Sequence, residues 1–460
     1  MRPEQPSITW KSSDKPGALR VLGVNPWIYD FAAYNVWSRP AGLLACLDIF
    51  SRTGCETALL DLMDKGPAPA VWPLQKQTGK GPYPKVHLPK PFVLKDIPRQ
   101  FSRYGMDRQR AAELLSGLKP GPDLILVTSL MTYWYPGVMT AIRLLRALFP
   151  KARICLGGIY ATLCFEHACR LGADMVIAGP VEHPENWMRI WKMMGICPPD
   201  LPEHEGMVLD ASYYHEPEFS ILMCSRGCPF QCPYCASSIL YPGFRQIDPH
   251  VITSHIHTEY ERGIRDFCFY DDALLINPDK VLHPVLEYIV EKKYQLRLHA
   301  PNALHVRYLS YKTCSLLKEA GLLTIRLGLE TSDFNHRRDA KLSREEWRRG
   351  IANLIQAGFS RDSMAVYVLA GLPDQSMQEV KKSMKECIDM GMRPELNYYS
   401  PIPGTPLFDR AKETSDYPLD EPLFQNTSVW PCVRGGFSWE VRDMVDQLRI
   451  DLRPGSNANG

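Results

Sequence analysis

The densest concentration of reactive side chains is the segment Cys224-Ser-Arg-Gly-Cys228-Pro-Phe-Gln-Cys232-Pro-Tyr-Cys235. Cys228, Cys232 and Cys235 stand four and three residues apart, a spacing that lets three thiolates fold around one iron–sulfur cubane and hold three of its irons. The fourth iron then has no protein ligand, and that vacancy can take a small chelating molecule. A structural zinc site wants four ligands, and the spare thiol, Cys224, falls on an expected strand where it need not face the loop. Zinc or redox-thiol binding is the alternative. Among the other cysteines, Cys46, Cys55, Cys155, Cys268, Cys314 and Cys387 read as small buried hydrophobes.

The spacing Cys-x3-Cys-x2-Cys, with an aromatic residue before the last cysteine, resembles the radical S-adenosylmethionine (SAM) superfamily. In that family the open iron chelates the amino and carboxylate groups of SAM, the cluster delivers an electron, and a 5′-deoxyadenosyl radical abstracts hydrogen from a substrate. The resemblance implies a [4Fe–4S] cluster on Cys228, Cys232 and Cys235 with SAM beside it. Phe230 and Tyr234 would pack near adenine, or serve as loop anchors. In Phe269-Tyr-Asp-Asp272, Asp271 or Asp272 would accept bonds from the methionine ammonium. Arg326 and Glu330, in Ile-Arg-Leu-Gly-Leu-Glu, resemble the segment whose polar groups meet the carboxylate and ribose; each could equally be half of a structural ion pair. Leu369-Ala-Gly371-Leu-Pro373 resembles the fifth-strand segment beside adenine, where glycine lets the backbone approach. Tyr398-Tyr-Ser-Pro-Ile-Pro-Gly-Thr-Pro406 resembles the sixth-strand ending of family members that carry a cobalamin domain. His299, Asn302 and His305 are candidates for the barrel mouth.

These residues need a scaffold that brings strand ends together. Strands are expected at Ser220–Cys224, Phe267–Tyr270, Gln295–His299, Thr324–Leu329, Ala365–Leu369 and Leu396–Tyr399, with helices between them. Ser343 with Glu346 and Ser376 with Glu379 form capping boxes, and Gly321, Gly358 and Gly391 sit where helices should stop. Six strand–helix units imply a partial (β/α)6 barrel with its chemistry at the strand ends.

The first part of the chain also alternates strands and helices, with strands expected at Val21–Val24, Thr57–Leu60, Leu124–Thr128, Ile154–Leu156 and Met175–Ala178. A helix is expected from near Gly137, through Val138, Ile142, Leu145 and Leu148, to a stop at Pro150. This half resembles the doubly wound, Rossmann-like cobalamin-binding domain that precedes many radical SAM barrels. The matching pieces are Thr128-Ser129-Leu130 after the third strand and Gly157-Gly158-Ile-Tyr160-Ala-Thr162 after the fourth, which implies cobalamin laid against small residues at strand ends. Two family features are absent: Asn25-Pro-Trp-Ile-Tyr-Asp30 holds no histidine for cobalt, and the acidic end of the domain survives only as Gly179-Pro-Val-Glu182. His167 reads as structural.

The expected organisation is a tail over 1–17, a cobalamin-binding-like domain over 18–195, a linker over 196–218, a radical SAM core over 219–411 and a loose appendage over 412–460. Within 65–104, eight prolines and eight basic residues against one acid mark a long loop, read as a solvated insertion, with a cap or a site for an anionic partner as the alternative. Apolar residues make up 45% of the 460, charged residues 23%, and the net charge is +2, which is globular composition with no global pull toward a polyanion. Residues 124–142 carry no charge, but Pro136-Gly137 and their hydroxyls argue for strand, loop and helix start over a membrane span. Fourteen cysteines behind a polar, proline-broken N-terminus point to reduced thiols and the cytoplasm.

The function these features imply is a radical enzyme with a cobalamin-dependent methyltransferase as its leading form, acting on an unactivated carbon of a small-molecule, peptide or lipid substrate. Its electron donor would be a flavodoxin or ferredoxin. Alternatives are a radical oxidoreductase or rearrangement enzyme with a non-functional cobalamin domain, and a noncatalytic iron–sulfur or zinc module that binds nucleic acid.

Overall fold

Short apolar runs bounded by turn residues become parallel strands in both halves of the chain, buried on both faces. The computed structural model describes residues 8–65, 73, 76, 79–202 and 209–451, and the chain divides into two compact units at Pro217/Glu218.

In the first unit, β1 (Arg20–Asn25), β2 (Glu56–Asp61), β3 (Leu124–Val127), β4 (Arg153–Leu156) and β5 (Met175–Val176) form one parallel sheet in the order β5-β4-β3-β1-β2. This is a flavodoxin-like order, with its reversal between β1 and β3. Val24 pairs with Leu60 and Val127, and Val127 pairs with Leu156, so Asn25, Thr128 and Gly157 leave the sheet level with one another. Helix α1 (Tyr135–Leu148) starts on Pro136, which fits a first helical turn, and buries Val138, Ile142 and Leu145.

The expected long loop over 65–104 is a structured insertion where it is described. Lys80–Pro82 pairs with Tyr34–Val36, while Lys85–His87, Ser102–Tyr104 and Ile28–Asp30 make a three-stranded antiparallel sheet. Tyr83, Leu94, Ile97 and Phe101 are its buried anchors. Three-residue strands whose partners lie elsewhere in the chain leave no periodic signal, so prolines and lysines dominated the expectation. The segment leading to the second unit is also anchored: Tyr214 donates to Asp61 Oδ2 at 2.9 Å and Lys11 pairs with Asp210.

The second unit holds β6 (Ser220–Leu222), β7 (Asp266–Phe269), β8 (Arg297–Leu304), β9 (Leu322–Glu330), β10 (Met364–Ala370) and β11 (Arg393–Tyr398), all parallel and in sequential order. Helices α2 (Pro249–Glu261), α3 (Leu282–Glu291), α4 (Tyr311–Glu319), α5 (Arg344–Gln356), α6 (Met377–Asp389) and α7 (Pro406–Thr414) follow the strands in turn. The result is an open barrel with β6 and β11 as edges. Strand β8 runs five residues past its expected end and β9 one, with register slips at Ala300/Leu304 and Gly328/Glu330. Such irregularities re-aim side chains at strand ends, and simple alternation does not foresee them. Ser343 and Glu346 reciprocate as a capping box, whereas Ser376 accepts from the Glu379 amide without the return bond.

The loose appendage expected from residue 412 is instead packed as far as Phe437. Leu419, Leu423, Phe424, Val429 and Trp430 are buried, Trp430 stacks on Tyr398 at 4.4 Å, and Ser400 donates to Gln425 O at 2.6 Å. Large apolar residues between the prolines find the ends of β10 and β11, which outweighs the breakers. The terminal Ser-Asn-Ala-Asn-Gly lies outside the described residues. No helix among the described residues is long and apolar enough to cross a membrane.

Candidate active site

The cysteine segment is pinned before it reaches its thiols. After β6 the backbone amide of Cys224 donates to both Asp271 oxygens at 3.0 and 3.1 Å, and Ser225 Oγ donates to Asp271 at 2.6 Å. Ser225–Gly227 then pairs antiparallel with Phe244–Gln246. Gly227 has φ +77°, and a Cβ there would meet Gly243 O at 2.3 Å, so only glycine closes this hairpin. On the far side, Leu407 N donates to Pro233 O at 2.9 Å, which fastens the loop to the start of α7.

Between these anchors Cys228, Cys232 and Cys235 line one cavity of about 220 Å³. Asp272, Asn302, His305, Glu330 and Lys341 supply its polar lining, and Phe230, Leu304, Val306 and Leu342 its apolar part. Most of these residues follow the C-terminal ends of β7, β8 and β9, where a barrel carries its chemistry. Burial pushes the Cys228 thiol up and the Cys232 thiol to about 11. The thiolate is the form that ligates a metal, so a cation held here would have to displace these protons.

Among the described residues no three Cys, His, Asp or Glu side chains are grouped to hold a single ion. A tetrahedral zinc site, with Zn–S near 2.3 Å, would draw its thiolates to within about 3.8 Å of one another. Thiols bound to three different irons of a cubane stand farther apart. The three cysteines share one cavity wall, and three thiolates fit a cubane with one iron left open.

The remaining wall separates the expected residues sharply. Asp272 lines the cavity, and burial raises its pKa. Asp271 does not; it is spent on Cys224 and Ser225, and burial pushes it up to about 6. Cys224 is buried away from the cavity, and burial followed by the charge of Asp271 holds its thiol well above the usual range. Phe230 lines the cavity and stacks on His305 with ring centroids 5.0 Å apart. Tyr234 is a loop anchor: its hydroxyl donates to Asp339 Oδ2 at 2.7 Å.

Glu330 reaches the cavity with φ +63°, a left-handed conformation costly for a residue with a side chain, directly after the register slip in β9. Arg326 lies outside the lining and pairs with Glu395 at 3.4 Å. Gly371 is likewise outside it, beside Val433 and Tyr398. His299 is fully buried between Asp266 and Thr324, so of the three mouth candidates only Asn302 and His305 face the cavity. Burial, then the charges of Lys341 and Arg307, pushes His305 down to about 4, which leaves it neutral at neutral pH.

Lys341 had no motif to announce it. It follows Arg337-Arg-Asp-Ala, a charge run that reads as a solvated surface. In the structure Arg337 and Asp339 are only 4% and 2% exposed and paired at 2.9 Å. Arg337 donates to Leu329 O and Thr331 O, both at 2.8 Å, and Asp339 accepts from Tyr234 and from the Lys341 amide. This clamp delivers Lys341 into the cavity, 3.9 Å from Glu330. Burial acts to lower its pKa, but the negative charges of Glu330 and Asp339, and of Cys232 and Cys235 once ionised, outweigh that and raise it above the ordinary lysine value. For Glu330 burial wins over Lys341, and its pKa is raised.

In the first unit the expected cofactor residues divide differently. Gly158 has φ +96°, and a Cβ there would sit 2.4 Å from Ser129 O; Gly157 faces open space. Ser129 Oγ donates to Gly157 O at 2.7 Å, and Thr162 Oγ1 to Gly158 O at 2.9 Å. Thr128 is half-buried, and Leu130 and Met131 are exposed by 48% and 41%. Tyr160, expected beside a ligand, is instead fully buried in the core, with its hydroxyl on His167 Nδ1 at 2.5 Å. The strand ends therefore present small and exposed apolar residues, while the His167 ring is taken by Tyr160.

Residues 222–387 match the family model described as the radical SAM superfamily. An uncharacterized methyltransferase of Pyrococcus horikoshii is 25% identical over 46% of this chain and 46% of its own length. The hopanoid C-2 methylase of Rhodopseudomonas palustris is 24% identical over 44% and 41%. The matches thus span less than half the length of these curated relatives. Among solved structures, the radical SAM methyltransferase TsrM of Kitasatospora setae, with cobalamin and a [4Fe–4S] cluster bound, superposes at TM-score 0.60 over 87% of this chain and 80% of its own, at 15% identity. That likeness is one of fold and takes in residues of both units. The cysteine loop, the strand-end cavity and the match to the radical SAM superfamily model thus fall on the same stretch of the second unit.

Proposed function

We propose that Cys228, Cys232 and Cys235 hold the [4Fe–4S] cluster and that the adjoining wall binds SAM. One observation carries this: the cavity that holds the three cysteines also presents carboxylates, Asp272 and Glu330, and one ammonium, Lys341. The methionine end of SAM carries an ammonium and a carboxylate, so the wall is its electrostatic complement. Asp272 accepts from the amino group, Lys341 faces the carboxylate, and Asn302 and neutral His305 offer polar contacts. Phe230, Leu304, Val306 and Leu342 exclude water from the sulfonium. The cluster supplies, when reduced by a flavodoxin or ferredoxin, the electron that splits SAM into methionine and a 5′-deoxyadenosyl radical.

The first unit we read as a cobalamin site, with Thr128, Ser129, Leu130, Gly157, Gly158 and Thr162 at level strand ends and cobalt without an imidazole from this chain. Cobalamin would supply a methyl group there; the names of the two curated relatives support methyl transfer, and that of the hopanoid C-2 methylase supports carbon as the acceptor. The open space at Gly157 and the exposed Leu130 and Met131 support the binding face. A second reading, radical oxidation or rearrangement without cobalamin, gains from Gly158, whose glycine is already required by the backbone of Ser129.

Anaerobic turnover of the reconstituted chain with SAM, dithionite and methylcobalamin separates these readings. Methyl transfer yields 5′-deoxyadenosine and S-adenosylhomocysteine with cobalamin retained. 5′-Deoxyadenosine alone, with cobalamin washed off, establishes the second reading and removes the first.

A further inference from the structure

Lysine is rarely buried unless it is paired. Lys341 is 19% exposed, its backbone is fixed by Asp339, its ammonium lies 5.6 Å above the Tyr234 ring, and its nearest acid is Glu330, held in a left-handed backbone conformation. Two opposite charges are thus fixed by backbone and clamp in the wall facing the three cysteines.

We infer that Lys341 and Glu330 set the reduction potential of the cluster in opposite senses, with Lys341 as the positioning charge that makes it easier to reduce. The inference rests on the cluster reading above. Reduction takes one electron from an external donor and adds one negative charge to a site that already carries three thiolates. An ammonium nearby stabilises the more negative state, and a carboxylate opposes it; both act more strongly from a largely buried wall than from open solvent. The geometry makes the effect specific. The Arg337–Asp339 clamp fixes the backbone from which Lys341 reaches the cavity, and the left-handed backbone at Glu330 aims its carboxylate at the same wall.

The test is a redox titration of the reconstituted full-length chain without SAM, followed by the electron paramagnetic resonance signal of the reduced cluster. Lys341→Met should lower the reduced-to-oxidised ratio at a fixed applied potential about tenfold, equivalent to about 59 mV for one electron. Glu330→Gln should shift the ratio the opposite way, and Lys341→Arg should stay near wild type. Loss of packing moves both variants in one direction or neither, so equal or same-sign shifts overturn the inference. If Lys341→Met does not assemble a cluster, Glu330→Gln decides: a potential unchanged or lowered overturns it. A wild-type chain that binds no cluster sinks the cluster reading itself, which iron and sulfide counts reveal before any titration.

Discussion

The strand ends of the two units are built in opposite ways. In the second unit the ends of β7, β8 and β9 turn acids, a lysine and a neutral histidine into one cavity, and they hold Glu330 in a strained conformation to do so. None of this is needed to close the barrel. In the first unit the small residues after β3 and β4 are largely explained by the fold: Gly158 and Ser129 need each other, and Tyr160 with His167 fills the core. Polar groups buried against their own interest mark the catalytic cavity, whereas the shelf of the first unit is marked only by what is missing from it, a side chain at Gly157 and a cover over Leu130 and Met131.

The sharpest way to break this contrast is Cys232→Ala. Removing one of three ligands should abolish iron retention and lower SAM cleavage by at least about 1000-fold, read by iron content and 5′-deoxyadenosine, since the cluster carries the chemistry. Next in size is Gly158→Ala, where a left-handed φ and the Ser129 carbonyl together should cost about 3 kcal/mol or more in urea unfolding. Its neighbour sharpens the point: Gly157→Leu, entering open space, should change stability by less than about 1 kcal/mol while lowering cobalamin retention.

Asp271 and Asp272 split the same way. Asp271, pushed up to about 6 from 3.8 by burial, keeps in the native state a proton that the unfolded chain releases. Its contribution to stability therefore falls as pH rises from about 4 to about 6, by about 2–3 kcal/mol, and is flat above that. Asp271→Asn should remove that slope in unfolding measured at pH 4.5 and 7.5, and leave SAM affinity unchanged. Asp272→Asn should do the reverse: unaltered unfolding, with the Kd for SAM raised about tenfold by loss of one charge-assisted bond.

What the sequence disclosed follows from what is local. Cys228, Cys232 and Cys235 lie within eight residues, and the six parallel strands of the barrel carry their own apolar runs, so both were legible. Asp271 and Asp272 were legible only as a pair, because which carboxylate faces inward depends on Cys224 and Ser225, more than forty residues away. Lys341 was invisible for a different reason. Its charge run is buried by a clamp made with Leu329, Thr331 and Tyr234, and one-dimensional patterns assign such runs to solvent. The insertion over 65–104 and the packed segment after residue 412 failed similarly, since prolines report breaks in helices and strands and say nothing of tertiary contacts.

The central claim is that the three cysteines of one strand-end loop carry a cluster that cleaves SAM. The most direct measurement is iron and sulfide per chain in the anaerobically reconstituted protein, together with 5′-deoxyadenosine formed after reduction in the presence of SAM. The account predicts about four irons and four sulfides per chain, as a single [4Fe–4S] cluster requires, with 5′-deoxyadenosine that disappears in Cys232→Ala. A chain that instead takes up a single zinc ion, or holds the full cluster in Cys232→Ala, contradicts it.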